Sequence, residues 1–283
     1  MNGQGKPLTD WIGSKELRED VFNLAPALGV SALLDRDAAS LQVGSPLPAL
    51  WHWFYFLPQV PTSRIGHDGH PERGGFMPPV DLPRRMFAGS RMEFIKPAIL
   101  GRAARREGEV LNVLEKSGKS GKLVFVTVEY RIYQDDTLCI KEEQDIVYKE
   151  AGGRIPAPVP LDAWAPLPSG SWSQIVEPSE VFLFRFSALT FNAHRIHYDR
   201  RYAMDEEGYP GLVVHGPLTA LMLAELAARG SARRISAFSF QGRAPLFDLH
   251  PFRLVGLPRD DKVMLEAQGP AGETSLTATA MLD

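Results

Sequence analysis

The sequence predicts a two-domain α+β protein, and three observations carry that prediction. Residues 85–149 and 235–282 alternate apolar and polar side chains with the period of β-strands. The second of these stretches follows an apolar, well-punctuated helix, "VVHGPLTALMLAELAARG". Between the halves lies "AGGRIPAPVPLDAWAPLPSGSWS" (151–173), whose five prolines and three glycines leave little room for a regular element. The expected division is a first domain over 1–150, a linker over 151–173 and a second domain over 174–283.

In order along the chain, residues 14–36 read as largely helical, with Ser14 as N-cap, an interruption at Pro26 and a break at Gly29. The proline-bounded run "GSPLPALWHWFYFLPQVP" (44–61) reads as a buried helix or strand. "TSRIGHDGHPERGGFMPPVDL" (62–82) has the composition of a loop, and His67 and His70 within it read as solvated. "RMFAGSRMEFIKPAILG", "GEVLNVLEKS", "KLVFVTVEYRIYQ" and "DTLCIKEEQDIVYKE" then form an antiparallel meander, with "SGKSGK" and "QDD" as turns. In the second half "SEVFLFRFSALTF" reads as a strand. The helix after it takes Gly216 at its cap, Pro217 in its first turn and Gly230 just past its end. Four strand-like segments follow.

Composition narrows the function. A net charge of −3 supplies no broad field for nucleic acid or anionic membrane. The single cysteine, Cys139, excludes intramolecular disulfides and thiolate-rich zinc sites. The N-terminus lacks the apolar run of a secretory signal, and no stretch approaches the roughly 20 apolar residues of a membrane span, so a cytoplasmic protein is expected.

The stretch "TFNAHRIHYD" (190–199) concentrates chemistry in a chain with seven histidines. His197 has the intrinsic pKa of a general base or acid. Asn192 offers an amide to hold a water or a carbonyl. Gly216 and the residues after it present free N–H groups and the positive end of a helix dipole, suited to an oxyanion. A base beside an oxyanion site points to chemistry next to an activated carbonyl, such as hydration of an unsaturated thioester. Ser187 and Cys139 lack the context of an activated nucleophile.

The segment "FSALTFNAHRIHYDRRYAMDEEGYPGLVVHGPLTALMLAELA" (186–227) resembles the MaoC-type hydratase/dehydratase family of hot-dog folds. On the family pattern S-G-D-x-N-P-x-H-x-D, the histidine falls on His197 and the trailing aspartate on Asp199. The later His-Gly falls on His215 and Gly216. The pattern's first aspartate falls on Asn192, its asparagine on His194 and its proline on Arg195. "PLPALWHWFYFLP", "HDGHPERGGFMPP" and "PRRMFAGSRMEF" are similar to the N-terminal half of a branch that includes itaconyl-CoA and mesaconyl-CoA hydratases and mitochondrial 3-hydroxyacyl-thioester dehydratases.

The resemblance implies a double hot-dog, two antiparallel sheets each wrapping a central helix, with a non-catalytic N-terminal half that shapes the acyl pocket. It implies reversible hydration of an acyl-CoA with a short C5 dicarboxylic acyl group, without a metal or redox cofactor. His197 serves as base and then acid, Asn192 orients water, and the Gly216 N–H holds the enolate. Residues expected to line the substrate are His194, Tyr198, Asp199 and His215, with Arg84, Arg85 and Arg243 for carboxylate and CoA. The alternatives are a dehydratase of longer 3-hydroxyacyl thioesters, a non-catalytic acyl-CoA binder and a thioesterase. Two sheets within one chain suit either a monomer or a homodimer.

Overall fold

A computed structural model describes residues 6–118 and 121–283. Its elements are β1 (Lys15–Val21), α1 (Leu24–Leu33), β2 (Arg84–Phe94), β3 (Ala103–Gly118), β4 (Gly121–Gln134) and β5 (Thr137–Lys149). The second half adds β6 (Trp172–Val176), α2 (Glu180–Leu189), α3 (Gly216–Ser231), β7 (Ile235–Gly242), β8 (Phe252–Arg259), β9 (Lys262–Gln268) and β10 (Thr274–Leu282). The strands form two antiparallel five-stranded sheets that join edge to edge, in the order β1-β3-β4-β5-β2-β7-β10-β9-β8-β6. This is a double hot-dog.

The seam is the antiparallel pair β2 and β7, running from Gly89 opposite Gln241 to Glu93 opposite Ala237. Gly89 permits it: a Cβ there would lie 2.6 Å from the Phe240 carbonyl oxygen. The helix α3 supplies the main core. Leu218, Leu221 and Leu223 on it are fully buried, and its residues pack against β7, β8, β9 and β10. The helix α1 is shorter and packs on α2, not centrally on its own sheet. A separate cluster around Val110, Val126, Val128 and Tyr148 fills the first half, covered by Val80 and Leu82 of the loop before β2.

Four local expectations are corrected. Residues 15–21 form an edge strand on β3, and the helix begins only at Leu24, with Asn23 and not Ser14 at its cap. The alternation of "KELREDV" explains the strand: Glu16, Arg18 and Asp20 turn inward to partners. Arg106 bonds Glu16 at 3.1 Å, and Asp20 accepts the Phe56 N–H at 2.6 Å. Charges on the inner face also blunt a sheet edge. Pro26 falls in the first turn of α1, where its missing N–H costs nothing, and Gly29 sits within the helix against Leu189.

"SEVFLFRFSAL" is the helix α2. Ser179 caps it by accepting the Phe182 N–H at 3.1 Å, and Leu183, Phe186 and Ser187 are buried at helical spacing. In α3, Gly230 lies inside the last turn because a Cβ there would come 2.3 Å from Trp172; Ala232 takes the left-handed cap. The aromatic run at 44–61 is buried as expected, as a 3-10 turn at Trp51–Phe54. Residues 151–171 hold no helix or strand. They are pinned to the second half by Ile155 N–H to the Gly208 carbonyl at 2.8 Å and Trp164 Nε1–H to the Gly269 carbonyl at 3.1 Å.

Candidate active site

The catalytic segment leaves α2 through Phe191, whose φ of 51° turns the chain sharply. It then makes a 3-10 turn at Arg195–His197, held to the segment before α3 by the Val213 N–H, which donates to the Ile196 carbonyl at 3.0 Å. The Val213 carbonyl accepts from His197 Nδ1 at 2.7 Å. Nδ1 therefore carries the proton and Nε2 keeps a lone pair, the tautomer a general base requires. Burial pushes the His197 pKa down to about 4, against the opposing pull of that carbonyl. The ring is neutral near pH 7.

His215 stacks on His197 with ring centroids 3.6 Å apart, and its Nε2 lies 2.9 Å from Ser187 Oγ. It is 1 % exposed, so its expected contact with substrate is corrected: it buttresses His197 from behind. The Ser187–His215 pair is no nucleophile system, because both side chains are buried and His215 Nδ1 has no partner to orient it.

Gly216 opens α3 beside the base. Pro217 has no N–H and the Thr219 N–H returns to the His215 carbonyl at 3.1 Å. The unpaired donors of the first turn are thus Gly216 and Leu218, and only Gly216 is partly exposed. A Cβ on Gly216 would meet nothing nearer than the Phe87 carbonyl oxygen at 3.8 Å. Packing does not demand glycine here, and no hydrogen bond among the described residues takes the Gly216 N–H.

Other expected site residues divide. Asn192 lies beside the histidines, and its Oδ1 accepts the His194 N–H at 3.0 Å, leaving its NH₂ group and one Oδ1 lone pair uncommitted. His194 meets His197 edge-on at 5.4 Å between centroids and stays neutral, pushed down to about 2 by burial and the neighbouring His70. Tyr198 turns its hydroxyl to the Ala193 carbonyl at 3.0 Å. Asp199 is a correction: its carboxylate pairs with Arg195 at 2.8 Å and accepts the Tyr202 N–H at 3.1 Å, so it shapes the loop instead of binding substrate.

Arg84 is a correction of the same kind. It is buried, its Nε bonds Glu207 Oε2 at 2.9 Å, and its guanidinium lies over Tyr209, tying β2 to the second half. Arg85, next to it, is half-buried and forms no ion pair among the described residues. It shares its face of β2 with Phe87 and lies near enough to His70 and His194 to disfavour their protonation. Arg243 is exposed just past β7, beside Gly242, which approaches the Ala88 carbonyl.

Sequence reasoning missed the contribution of the loop 62–82. His70 is not a solvated histidine: its ring lies 4.0 Å from that of His194 and its Nδ1 lies 3.0 Å from Asp68 Oδ2. His67 is exposed and meets Glu206 at 2.6 Å. The loop is docked by Arg195, whose backbone N–H donates to the Asp68 carbonyl at 2.9 Å and whose guanidinium reaches the His67 carbonyl at 3.2 Å. Gly69 makes the approach possible, since a Cβ there would fall 1.7 Å from the Ala193 carbonyl oxygen. The "HDGH" spacing was the available signal, but nothing in it names a partner so far along the chain.

Asp68, His70 and His194 bring donor atoms within 4.8 Å of one another. Both Asp68 oxygens are already engaged by His70, its ring and its backbone N–H, so the set is a carboxylate–imidazole pair before it is a seat for a cation. A groove of about 800 Å³ runs elsewhere, between residues 165–168 and the sheet, and none of these histidines lines it.

Comparison with known proteins shows the family of this chain. The profile of the hydroxyacyl-thioester dehydratase type 2 family, Htd2, matches residues 50–248. The chain is 56% identical over 272 residues to mesaconyl-C(4)-CoA hydratase of Chloroflexus aurantiacus, covering 96% of each chain. It is 26% identical to the mitochondrial hydroxyacyl-thioester dehydratase type 2 of Schizosaccharomyces pombe, covering 87% of this chain and 88% of that one. Among solved structures, HtdX of Mycobacterium tuberculosis superposes with a TM-score of 0.67 at 16% identity, over 95% of this chain and all of that one. That last likeness shows the shared fold. The chain belongs to the hydroxyacyl-thioester dehydratase type 2 family, and it is a hydro-lyase.

Proposed function

We propose that this member of the hydroxyacyl-thioester dehydratase type 2 family adds water reversibly to an α,β-unsaturated C5 dicarboxylic acyl-CoA, mesaconyl-C4-CoA before itaconyl-CoA. The observation that carries the reading is a buried neutral His197, with its free Nε2, beside the open N–H of Gly216 at a helix start. High identity to a mesaconyl-C(4)-CoA hydratase supports the choice of ester.

His197 Nε2 takes a proton from water as the oxygen bonds to the β-carbon. The π electrons move to the thioester oxygen, where the Gly216 N–H and the dipole of α3 hold the enolate. His197 then returns the proton to the α-carbon. Water adds across the double bond with no net change of oxidation state, and His197 and Gly216 supply the proton transfers and charge stabilisation, so this reading calls for neither a metal nor a redox group. Enolate formation needs a double bond conjugated to the thioester, as in mesaconyl-C4-CoA; the terminal methylene of itaconyl-C4-CoA lies one carbon further away, out of conjugation with the thioester.

In mesaconyl-C4-CoA the free carboxylate sits on the β-carbon itself. Its cation must therefore lie within a few ångströms of the water that His197 activates. Arg85 suits that requirement, since its charge is near enough to His70 and His194 to disfavour their protonation and it forms no ion pair among the described residues. Arg243, exposed past β7, suits a CoA phosphate.

The test follows enoyl-thioester absorbance with mesaconyl-C4-, itaconyl-, crotonyl- and a long-chain enoyl-CoA. Fast loss with mesaconyl-C4-CoA and slow loss with crotonyl-CoA is expected. Preference for the long-chain ester would favour a fatty-acyl dehydratase, and binding without loss of any ester would contradict hydration.

A further inference from the structure

In the hydration above, the attacking water has two hydrogens. One passes to His197; the other needs an acceptor if the oxygen lone pair is to be aimed at the β-carbon. Asn192 is less suited to that task, because its Oδ1 is already held by the His194 N–H at 3.0 Å, which fixes its direction and occupies one of its two lone pairs. What remains on Asn192 is a pair of donors and one lone pair.

The first half offers the missing acceptor. Asp68 takes two hydrogen bonds from His70, one from the backbone N–H at 2.9 Å and one from ring Nδ1 at 3.0 Å. Burial alone would raise the Asp68 carboxyl, but the two hydrogen bonds from His70 hold it well below the usual carboxylate range. Burial pushes His70 itself down and keeps its ring neutral near pH 7. An ionised Asp68 requires the proton on His70 Nδ1, which leaves a lone pair on Nε2. The histidines pack against one another across the two halves, His70 to His194 at 4.0 Å, His194 to His197 at 5.4 Å and His197 to His215 at 3.6 Å between centroids, and His70 lies near enough to His197 to disfavour its protonation.

The docking of this pair is built into the segment. At the position where the related pattern carries proline, Arg195 keeps a backbone N–H and donates it to the Asp68 carbonyl at 2.9 Å. No proline could make that bond. Asp68 and His70 therefore stand against the catalytic turn through contacts that the turn itself supplies.

We propose that His70, oriented by Asp68, is a second catalytic residue of the site: its Nε2 accepts the other hydrogen of the attacking water while His197 removes the first. The two halves then share one water, and the first half contributes chemistry as well as pocket wall. No proton is transferred to His70, so the balance of the reaction is unchanged. The inference rests on the hydratase reading.

Two variants of the full chain test it, each measured for hydration of mesaconyl-C4-CoA. Both are also followed by mass spectrometry for exchange of the α-hydrogens of saturated methylsuccinyl-CoA in D₂O. Exchange needs His197 and Gly216 but no water at the β-carbon, so it separates water placement from enolate chemistry. Asp68→Asn still accepts the His70 backbone N–H, but its amide donates to Nδ1 and moves the ring proton to Nε2, turning the acceptor into a donor. Hydration should fall by about 10²-fold or more while exchange stays within about threefold. His70→Gln keeps an oxygen near the Nε2 position and should retain hydration within about tenfold of the unaltered chain.

Asp68→Asn with unchanged hydration would overturn the proposal. So would hydration and exchange falling together in both variants, which would mark the pair as structural support alone. Should the unaltered chain hydrate no ester at all, the hydratase reading fails and takes this inference with it; turnover by the unaltered chain separates the two outcomes.

Discussion

The two halves carry five strands each, yet they fill their concave faces differently. The second wraps the 16-residue α3, whose buried face seals the core and whose first turn is left open at Gly216. The first has only the 10-residue α1, displaced onto α2, and uses aromatic side chains and the loop 62–82 in its place. A long helix delivers a dipole and a rigid base platform. A helix displaced from the sheet leaves space, and the loop that enters it brings Asp68 and His70 against the turn that carries His197, while β2 carries Arg85. On the proposed reading, the difference separates enolate chemistry in one half from water and carboxylate recognition in the other.

The sharpest way to break that division is at His197. His197→Ala should lower kcat by about 10²- to 10⁴-fold with the fold intact by circular dichroism, as expected for a lost general base. Rates within a few-fold of the unaltered chain would move the base elsewhere, His70 being next in line.

The docking of the first half is tested at Gly69. With φ at +89° and the Ala193 carbonyl oxygen 1.7 Å from any Cβ, Gly69→Ala must push the loop off the catalytic turn. A loss of about 10²-fold in kcat is expected from misplaced groups, and about 1–3 kcal/mol of stability from the strained backbone. Unchanged kinetics would show that the loop's approach is irrelevant to turnover.

Titration sharpens the comparison further. His197 works as a base when neutral, so with its pKa pushed down to about 4 the acid limb of kcat/KM should fall near pH 4, well below the ordinary histidine value of 6.5. Stability has the same sign. Burial lowers His70, His194, His197 and His215 in the folded state, so the unfolded chain takes up protons first. The melting temperature should hold above about pH 7 and decline as pH falls through about 6 towards the folded-state values. A flat profile would mean that the cluster is solvated.

Much of the second half was legible in the sequence because its signals are local. Gly216 and Pro217 announce a helix start, and His197 lies in a segment whose spacing carries its own motif. Where the reading failed, the deciding contacts lay elsewhere in the chain. Residues 15–21 form a strand because β3 pairs with them, and α2 hides its helical period among exposed apolar residues such as Val181 and Phe184. His70 looked solvated because its neighbours, His194 and the Ala193 backbone, come from the other half. Arg84 and Arg85 are adjacent and alike in sequence; only the fold, by giving Glu207 to Arg84, leaves Arg85 without a carboxylate. Local patterns announce helices and motifs, whereas the assignment of charged side chains to partners depends on tertiary placement.

The division of labour is tested most directly by kcat/KM of the unaltered chain and of Arg85→Met, each on mesaconyl-C4-CoA and on crotonyl-CoA. Loss of a charged hydrogen-bonded contact is worth about 1.5–3 kcal/mol, so the preference for the dicarboxylic ester should shrink by about 10- to 100-fold, with crotonyl-CoA turnover nearly unchanged. Equal loss on both esters would contradict the account, because Arg85 would then support the fold or the thioester and not the free carboxylate.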